Sequence, residues 1–224
     1  MTYETSSNPR VKVCCIASIE EAQCAVSLGA SALGLVSAMP SGPGPIPEER
    51  IAEIAATVPP GVATFLLTCL TEADAIIAQQ RRCGCNTLQL VDRVGVPVLR
   101  ALHSALPGIA IVQVIHVCDA DALREALEAA PLVNALLLDS GNPKLAIKEL
   151  GGTGRVHDWS ISRQIVERTG VPVFLAGGLK PENVADAIRA VRPYGLDICS
   201  GVRTGGKLDV EKLQRFFSVV RSAD

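Results

Sequence analysis

Eight short apolar, β-branched runs recur along the chain, and each is followed by a segment whose apolar residues fall at helical spacing. The runs occupy 11–16, 32–36, 62–67, 87–90, 109–115, 135–138, 171–176 and 196–199. The helical segments occupy 18–28, 48–58, 72–82, 96–106, 121–130, 161–169, 182–191 and 210–221. The runs read as continuous apolar stretches rather than as polar–apolar alternation, as parallel strands covered on both faces do. Helix starts carry ordinary signals: Ser18 with Glu21 three residues on, Pro47 ahead of Glu48, and Pro181 ahead of Glu182. Shared over eight units, 224 residues leave about 28 each. Strict alternation with no break in composition predicts an α/β fold of one domain over 1–224, a (β/α)8 TIM barrel. The competitor is a doubly wound open sheet, and strand count decides against it. The polar segment 1–10 is expected to be a flexible N-terminus.

Composition narrows the function. Hydrophobic residues make up 48% of the chain and charged residues 20%, enough apolar surface for a sizeable core. Aromatics are only 3%, which argues against the stacking surfaces that single-stranded nucleic acids need. A net charge of −2 gives no global field to recruit nucleic acid or an acidic membrane. No signal peptide or membrane-length run is present, so a cytoplasmic location is expected. The eight cysteines sit mostly in apolar runs and read as reduced thiols; Cys83 and Cys85 lack the second half of a zinc site. Neither metal nor cofactor is expected. The composition suits a monomer or a homodimer.

In a barrel of this kind chemistry sits at the C-terminal ends of the strands. The connections are short except for 140–159, whose length marks it as functional. Glycine turns follow strands seven and eight, at Gly177-Gly178 and Ser200-Gly201, where backbone amides can hold a phosphate. The alternative is that they merely make tight turns. Gly151 to Gly154 lacks the lysine of a P-loop, and no dinucleotide fingerprint is present. Asp139 ends strand six between apolar walls and suits a general acid, or else caps a loop. Cys14 ends strand one and suits a general base if its thiolate is stabilised; the bland reading is an inert buried thiol. Asp197, inside strand eight, needs a partner, either a ligand or a neighbouring loop. His116 ends strand five as a further candidate, while His103 and His157 read as helix-surface and loop residues.

Taken in order, these residues resemble one known family. Lys12-Val13-Cys14, Leu138-Asp139-Ser140, Gly151-Gly152-Thr153-Gly154, His157-Asp158-Trp159, Leu175-Ala176-Gly177-Gly178-Leu179, Pro181-Glu182-Asn183-Val184 and Cys199-Ser200-Gly201-Val202 look like phosphoribosylanthranilate isomerase. The resemblance spans nearly the whole chain and is most specific from Leu136 to Val202. It implies a (β/α)8 barrel, no cofactor, and the Amadori rearrangement of N-(5-phosphoribosyl)anthranilate in tryptophan biosynthesis. It also implies Cys14 as general base and Asp139 as general acid, acting on a small phosphorylated sugar.

The departures fall on one side of the implied site. Family members carry Ser-Pro-Arg-Tyr after strand two, with the arginine on the anthranilate carboxylate; here Pro43 falls where that arginine would be. Strand four of the family ends Gln-Leu-His-Gly, and this chain has Gln89-Leu90-Val91-Asp92. The glycine after the catalytic cysteine is Cys15, and the glutamate after Ser-Gly-Val is Arg203. Arg203 or His116 is therefore the expected substitute for the missing cation. A paralogous isomerase acting on another phosphorylated sugar or aminosugar is the alternative. A non-catalytic phosphosugar-binding barrel fits less well, since it leaves Cys14 and Asp139 without a task.

Overall fold

A computed structural model of the protein describes residues 8–142, 145, 148 and 154–223. Eight parallel strands close on themselves in sequence order. They are β1 (Arg10–Val13), β2 (Ala32–Val36), β3 (Ala63–Thr68), β4 (Thr87–Leu90), β5 (Ala110–His116), β6 (Ala135–Asp139), β7 (Val173–Leu175) and β8 (Gly195–Ile198). The helices between and after them are α1 (Ile19–Ser27), α2 (Glu48–Thr57), α3 (Ala73–Cys83), α4 (Val96–Ala105), α5 (Asp121–Ala129), α6 (Trp159–Thr169), α7 (Val184–Val191) and α8 (Val210–Ser222). The expected (β/α)8 barrel is the fold of this chain. Of the N-terminus expected to be flexible at 1–10, residues 1–7 lie outside the described residues. Arg10 is already in β1, where it pairs with Gly195 of β8.

Strand parity builds two cores. On β6, Leu136 and Leu138 face the helices, whereas Ala135 and Leu137 join Phe65, Val112, Val114 and Phe174 inside the barrel. On β1 the helix-facing residues are Val11 and Val13, and on β8 they are Leu196 and Ile198. Because side chains alternate along a strand, Lys12, Cys14, Asp139, Asp197 and Cys199 take the inward parity. The same two-residue period that fills the barrel therefore aims its reactive groups at the mouth.

The seam between β8 and β1 is locked from outside. A two-residue hairpin, β9 (Arg203–Thr204) with β10 (Lys207–Leu208), follows a 3-10 turn at Ser200–Val202. Arg203 reaches back to Glu21 of α1, with guanidinium nitrogens 3.1 and 3.2 Å from the carboxylate. The same Glu21 accepts from the backbone N–H groups of Ala17 and Leu208. α8 then covers this seam with Leu213, Phe216, Phe217 and Val220, all buried. Among the described residues no helix is long and apolar enough to cross a membrane.

Candidate active site

A cavity opens at the C-terminal ends of the strands. Cys14 and Asp139 both line it, as do Asp197, Gly177, Gly178 and Ser200. Among the described residues no lysine, arginine or histidine side chain is part of this lining.

Cys14 is buried at the end of β1, and its backbone N–H donates to Ile198 O at 2.8 Å. Beneath it lies Lys12, fully enclosed, with Nζ 2.8 Å from Asp197 Oδ1. Cys15, hydrogen-bonded to Cys14 through its side chain, pulls the Cys14 thiol below its ordinary range; burial opposes this and the Lys12 charge reinforces it. Hydrogen bonds to the Cys14 and Cys199 thiols, together with burial, push the Cys15 thiol the other way. Burial would lower the Lys12 ammonium, but Asp197 and the neighbouring thiols outweigh it, and Lys12 stays charged. Burial lifts the Asp197 carboxyl, with Lys12 opposing. Cys15 has φ 61, the left-handed region that favours glycine, and its Sγ meets Cys199 Sγ at 2.8 Å.

Asp139 ends β6 opposite His116 of β5 in register. Its Oδ1 accepts from the Ser140 backbone N–H at 2.7 Å, so the side chain also tethers the start of its loop. His157 stands beside it. The ring Nε2 lies 2.7 Å from Ser162 Oγ, and burial lowers its basicity, with the Asp139 and Asp158 charges opposing. A Cβ placed on Gly177 would lie 3.0 Å from His157 Nδ1 and 3.1 Å from Ser140 Oγ.

The glycine turns are forced by contact as well as by backbone angle. Gly178 has φ +63, and a Cβ there would come within 2.9 Å of the carbonyl oxygens of Gly154 and Arg155. A Cβ on Gly201 would lie 2.0 Å from Leu179 O, so the turn after β8 is packed directly on the turn after β7. Asn183 fixes the turn after β7 by donating to Gly178 O at 3.0 Å and accepting from the Lys180 N–H at 2.8 Å. The Gly151–Thr153 part of the glycine motif lies outside the described residues.

With that geometry in place, the comparisons decide the family. A profile of N-(5'phosphoribosyl)anthranilate (PRA) isomerase matches residues 11–219. The chain belongs to this family. It is a family of isomerases, and relatives across archaea and bacteria share the whole length. The N-(5'-phosphoribosyl)anthranilate isomerase of Haloferax volcanii is 37% identical over 216 residues, covering 96% of this chain and 94% of its own. The isomerase structure from Thermotoga maritima superposes with a TM-score of 0.80 at 29% identity, covering 96% of this chain and 99% of that one. A further family structure, at TM-score 0.78 and 27% identity over the same shares of each chain, holds reduced 1-(o-carboxyphenylamino)-1-deoxyribulose 5-phosphate.

Two of the residues expected from the sequence are spent elsewhere. Arg203 does not reach the cavity: its guanidinium is taken by Glu21, by Gly206 O at 2.9 Å and by the carbonyls of Cys14 and Cys15. It fastens the seam rather than replacing the family arginine. His116 likewise stands outside the lining, its Nε2 2.9 Å from Val91 O. Where the family arginine and histidine would be, Pro43 and Val91 line an uncharged wall with Met39 and Gly42.

Sequence reasoning missed three residues. Lys12 was read only as part of a motif, although a lysine at an inward position of a closed barrel signals an enforced charge pair. His157 was placed on a loop surface, and its ring is packed against the β7 turn. Lys148 belongs to the long connection after β6. Its backbone carbonyl accepts from Ser41 Oγ at 2.6 Å, and its ammonium pairs with Asp92 at the rim.

Proposed function

We propose that this chain catalyses the Amadori rearrangement of N-(5'-phosphoribosyl)anthranilate to 1-(2-carboxyphenylamino)-1-deoxyribulose 5-phosphate. The observation that carries the reading is the convergence of Cys14 and Asp139 on one cavity, with the paired glycine turns at its edge. Asp139 protonates the furanose ring oxygen, and the ring opens to a protonated Schiff base. Cys14, as thiolate, removes the proton from C2 and leaves an enolamine that tautomerises to the ketone. A thiol held below its ordinary range and a carboxylic acid set across the cavity divide this work between a base and an acid. No cofactor or metal is required by these steps.

The phosphate sits, in this reading, on the backbone N–H groups of Gly177, Gly178, Ser200 and Gly201, in the two turns that pack on one another. The solved relative bound to the reduced product analogue, itself a 5-phosphate, supports a phosphorylated ligand for this barrel. Asp197 lines the cavity and is placed to meet a sugar hydroxyl. Lys148, whose carbonyl is held by Ser41 of the β2 connection, is a cation for the anthranilate carboxylate, reached when it exchanges Asp92 for the ligand. A structure of a dimeric Thermotoga maritima relative, in engineered monomeric form, is 25% identical with a TM-score of 0.76. It keeps both the monomer and the homodimer in view for this chain.

The test is turnover of phosphoribosylanthranilate by the wild type, Cys14→Ala and Asp139→Asn. Each variant is expected to lose ~10²–10⁴-fold in kcat/KM while keeping the wild-type circular dichroism. A wild type that leaves the substrate unchanged refutes the reading and favours another phosphorylated aminosugar.

A further inference from the structure

The charge beneath Cys14 has no part in the two proton transfers. Lys12 lies one inward position before Cys14 on β1, with no exposed surface, and its Nζ stands 5.3 Å from the centroid of the Phe65 ring. A Cβ on Gly34 would come within 2.7 Å of Cys14 Sγ and within 3.0 Å of Lys12 Nζ. Sulfur and ammonium thus face one another across a gap that no side chain fills. A buried cation is held in low dielectric only by anions that stay close. Asp197 is one such anion, at 2.8 Å.

We propose that Lys12 is a positioning residue whose ammonium, clamped by Asp197, is the counter-charge that holds Cys14 as a thiolate before substrate binds. Its catalytic meaning rests on Cys14 being the base; the thiolate itself does not. The other groups against the Cys14 side chain are few. Cys15 adjoins it on the same strand end, and Asp197 and Cys199 come from the β8 side. Arg203 touches the Cys14 carbonyl at 3.4 Å, and β2 presents only Gly34. Of these, the Cys15 side chain favours the thiolate through its hydrogen bond, Lys12 is the charge that favours it, and Asp197 is the charge that disfavours it. The two charges therefore pull the sulfur in opposite directions while holding each other in place.

That opposition supplies the test. The protein is alkylated with iodoacetamide across a pH series, and Cys14 is followed by mass spectrometry with fragmentation between residues 14 and 15. Lys12→Met keeps the volume and removes the charge; the Cys14 midpoint is expected to rise by about one pH unit, with ~10-fold slower labelling near neutrality. Asp197→Asn is expected to move the midpoint down. If Lys12→Met does not fold with Asp197 unpaired, the double variant Lys12→Met/Asp197→Asn removes both charges, and its midpoint is expected above wild type. Midpoints that stay put, or that move the same way in both single variants, overturn the proposal. In turnover, the acidic limb of kcat/KM should move up with Lys12→Met and activity should recover at higher pH, which a merely structural lysine would not produce. If the midpoints shift as expected but phosphoribosylanthranilate is not consumed, the charge pair stands and the assigned reaction falls.

Discussion

Position 43 carries proline where the family places the arginine that grips a carboxylate, and the residues beside it in the cavity wall are uncharged. An anthranilate carboxylate left without a cation there would bind weakly, since a charge-assisted hydrogen bond contributes roughly 1.5–3 kcal/mol. Lys148, joined to the β2 connection through Ser41, can supply that cation. Lys148→Ala is therefore expected to raise KM for phosphoribosylanthranilate about tenfold with kcat little changed, as steady-state kinetics would show. An unchanged KM would mean that the carboxylate is held elsewhere. Much of the site was legible residue by residue, because inward parity at a strand end is a property of sequence position. Cys14 and Asp139 are candidates by position, and the family resemblance is what suggests the roles of base and acid. The inward parity of Lys12 signals a charge pair, but its partner Asp197 lies 185 positions later in the sequence yet adjacent in the closed sheet. Arg203 was misjudged for a related reason: its position after β8 is visible in the sequence, but its capture by Glu21 from α1 is not.

The turns after β7 and β8 act as one element, since Gly201 packs on Leu179 O and Gly178 packs under the backbone of Gly154 and Arg155. Adding a methyl group at Gly178 meets backbone rather than a yielding side chain, and does so at a positive φ. Gly178→Ala is expected to raise KM by tenfold or more and to weaken inhibition by inorganic phosphate in parallel, with a small loss of thermal stability. Phosphate inhibition that survives the change would detach this element from anion binding. The order of the eight barrel strands and their eight helices was readable, the β9–β10 hairpin was not, and boundaries were less clear. The β7 run reads as 171–176 and the strand spans Val173–Leu175, although Ala176 N–H still donates to Leu138 O before the chain turns at Gly177, where φ is positive. Helix α6 begins at Trp159, two residues before its apolar period suggests, because the Asp158 side chain caps it by accepting from the Ser160 N–H. α7 starts at Val184 rather than 182, since Asn183 spends its side chain on the preceding turn.

Closure joins every strand to two neighbours, so no part of the barrel can open without exposing its interior. Phe216 of α8, with no exposed surface, lies over the seam that closes the ring. Phe216→Ala is expected to cost about 3–5 kcal/mol in urea denaturation. The fluorescence of Trp159 in α6, which packs on α7 and so lies two helices from α8, should report the same midpoint as far-ultraviolet circular dichroism. Separate midpoints would show that the seam unfolds on its own. A closed ring also fixes how the two ends of a ligand can change over evolutionary time. The glycine turns proposed to hold the phosphate follow β7 and β8, whereas the wall of Met39, Gly42, Pro43 and Val91 is borne by the connections after β2 and β4. Mutations in one group leave the other's backbone undisturbed, so a lineage can trade one aglycone for another while inheriting its phosphate grip and its acid–base pair intact. Pro43 and Val91 both belong to the second group, apart from the turns after β7 and β8.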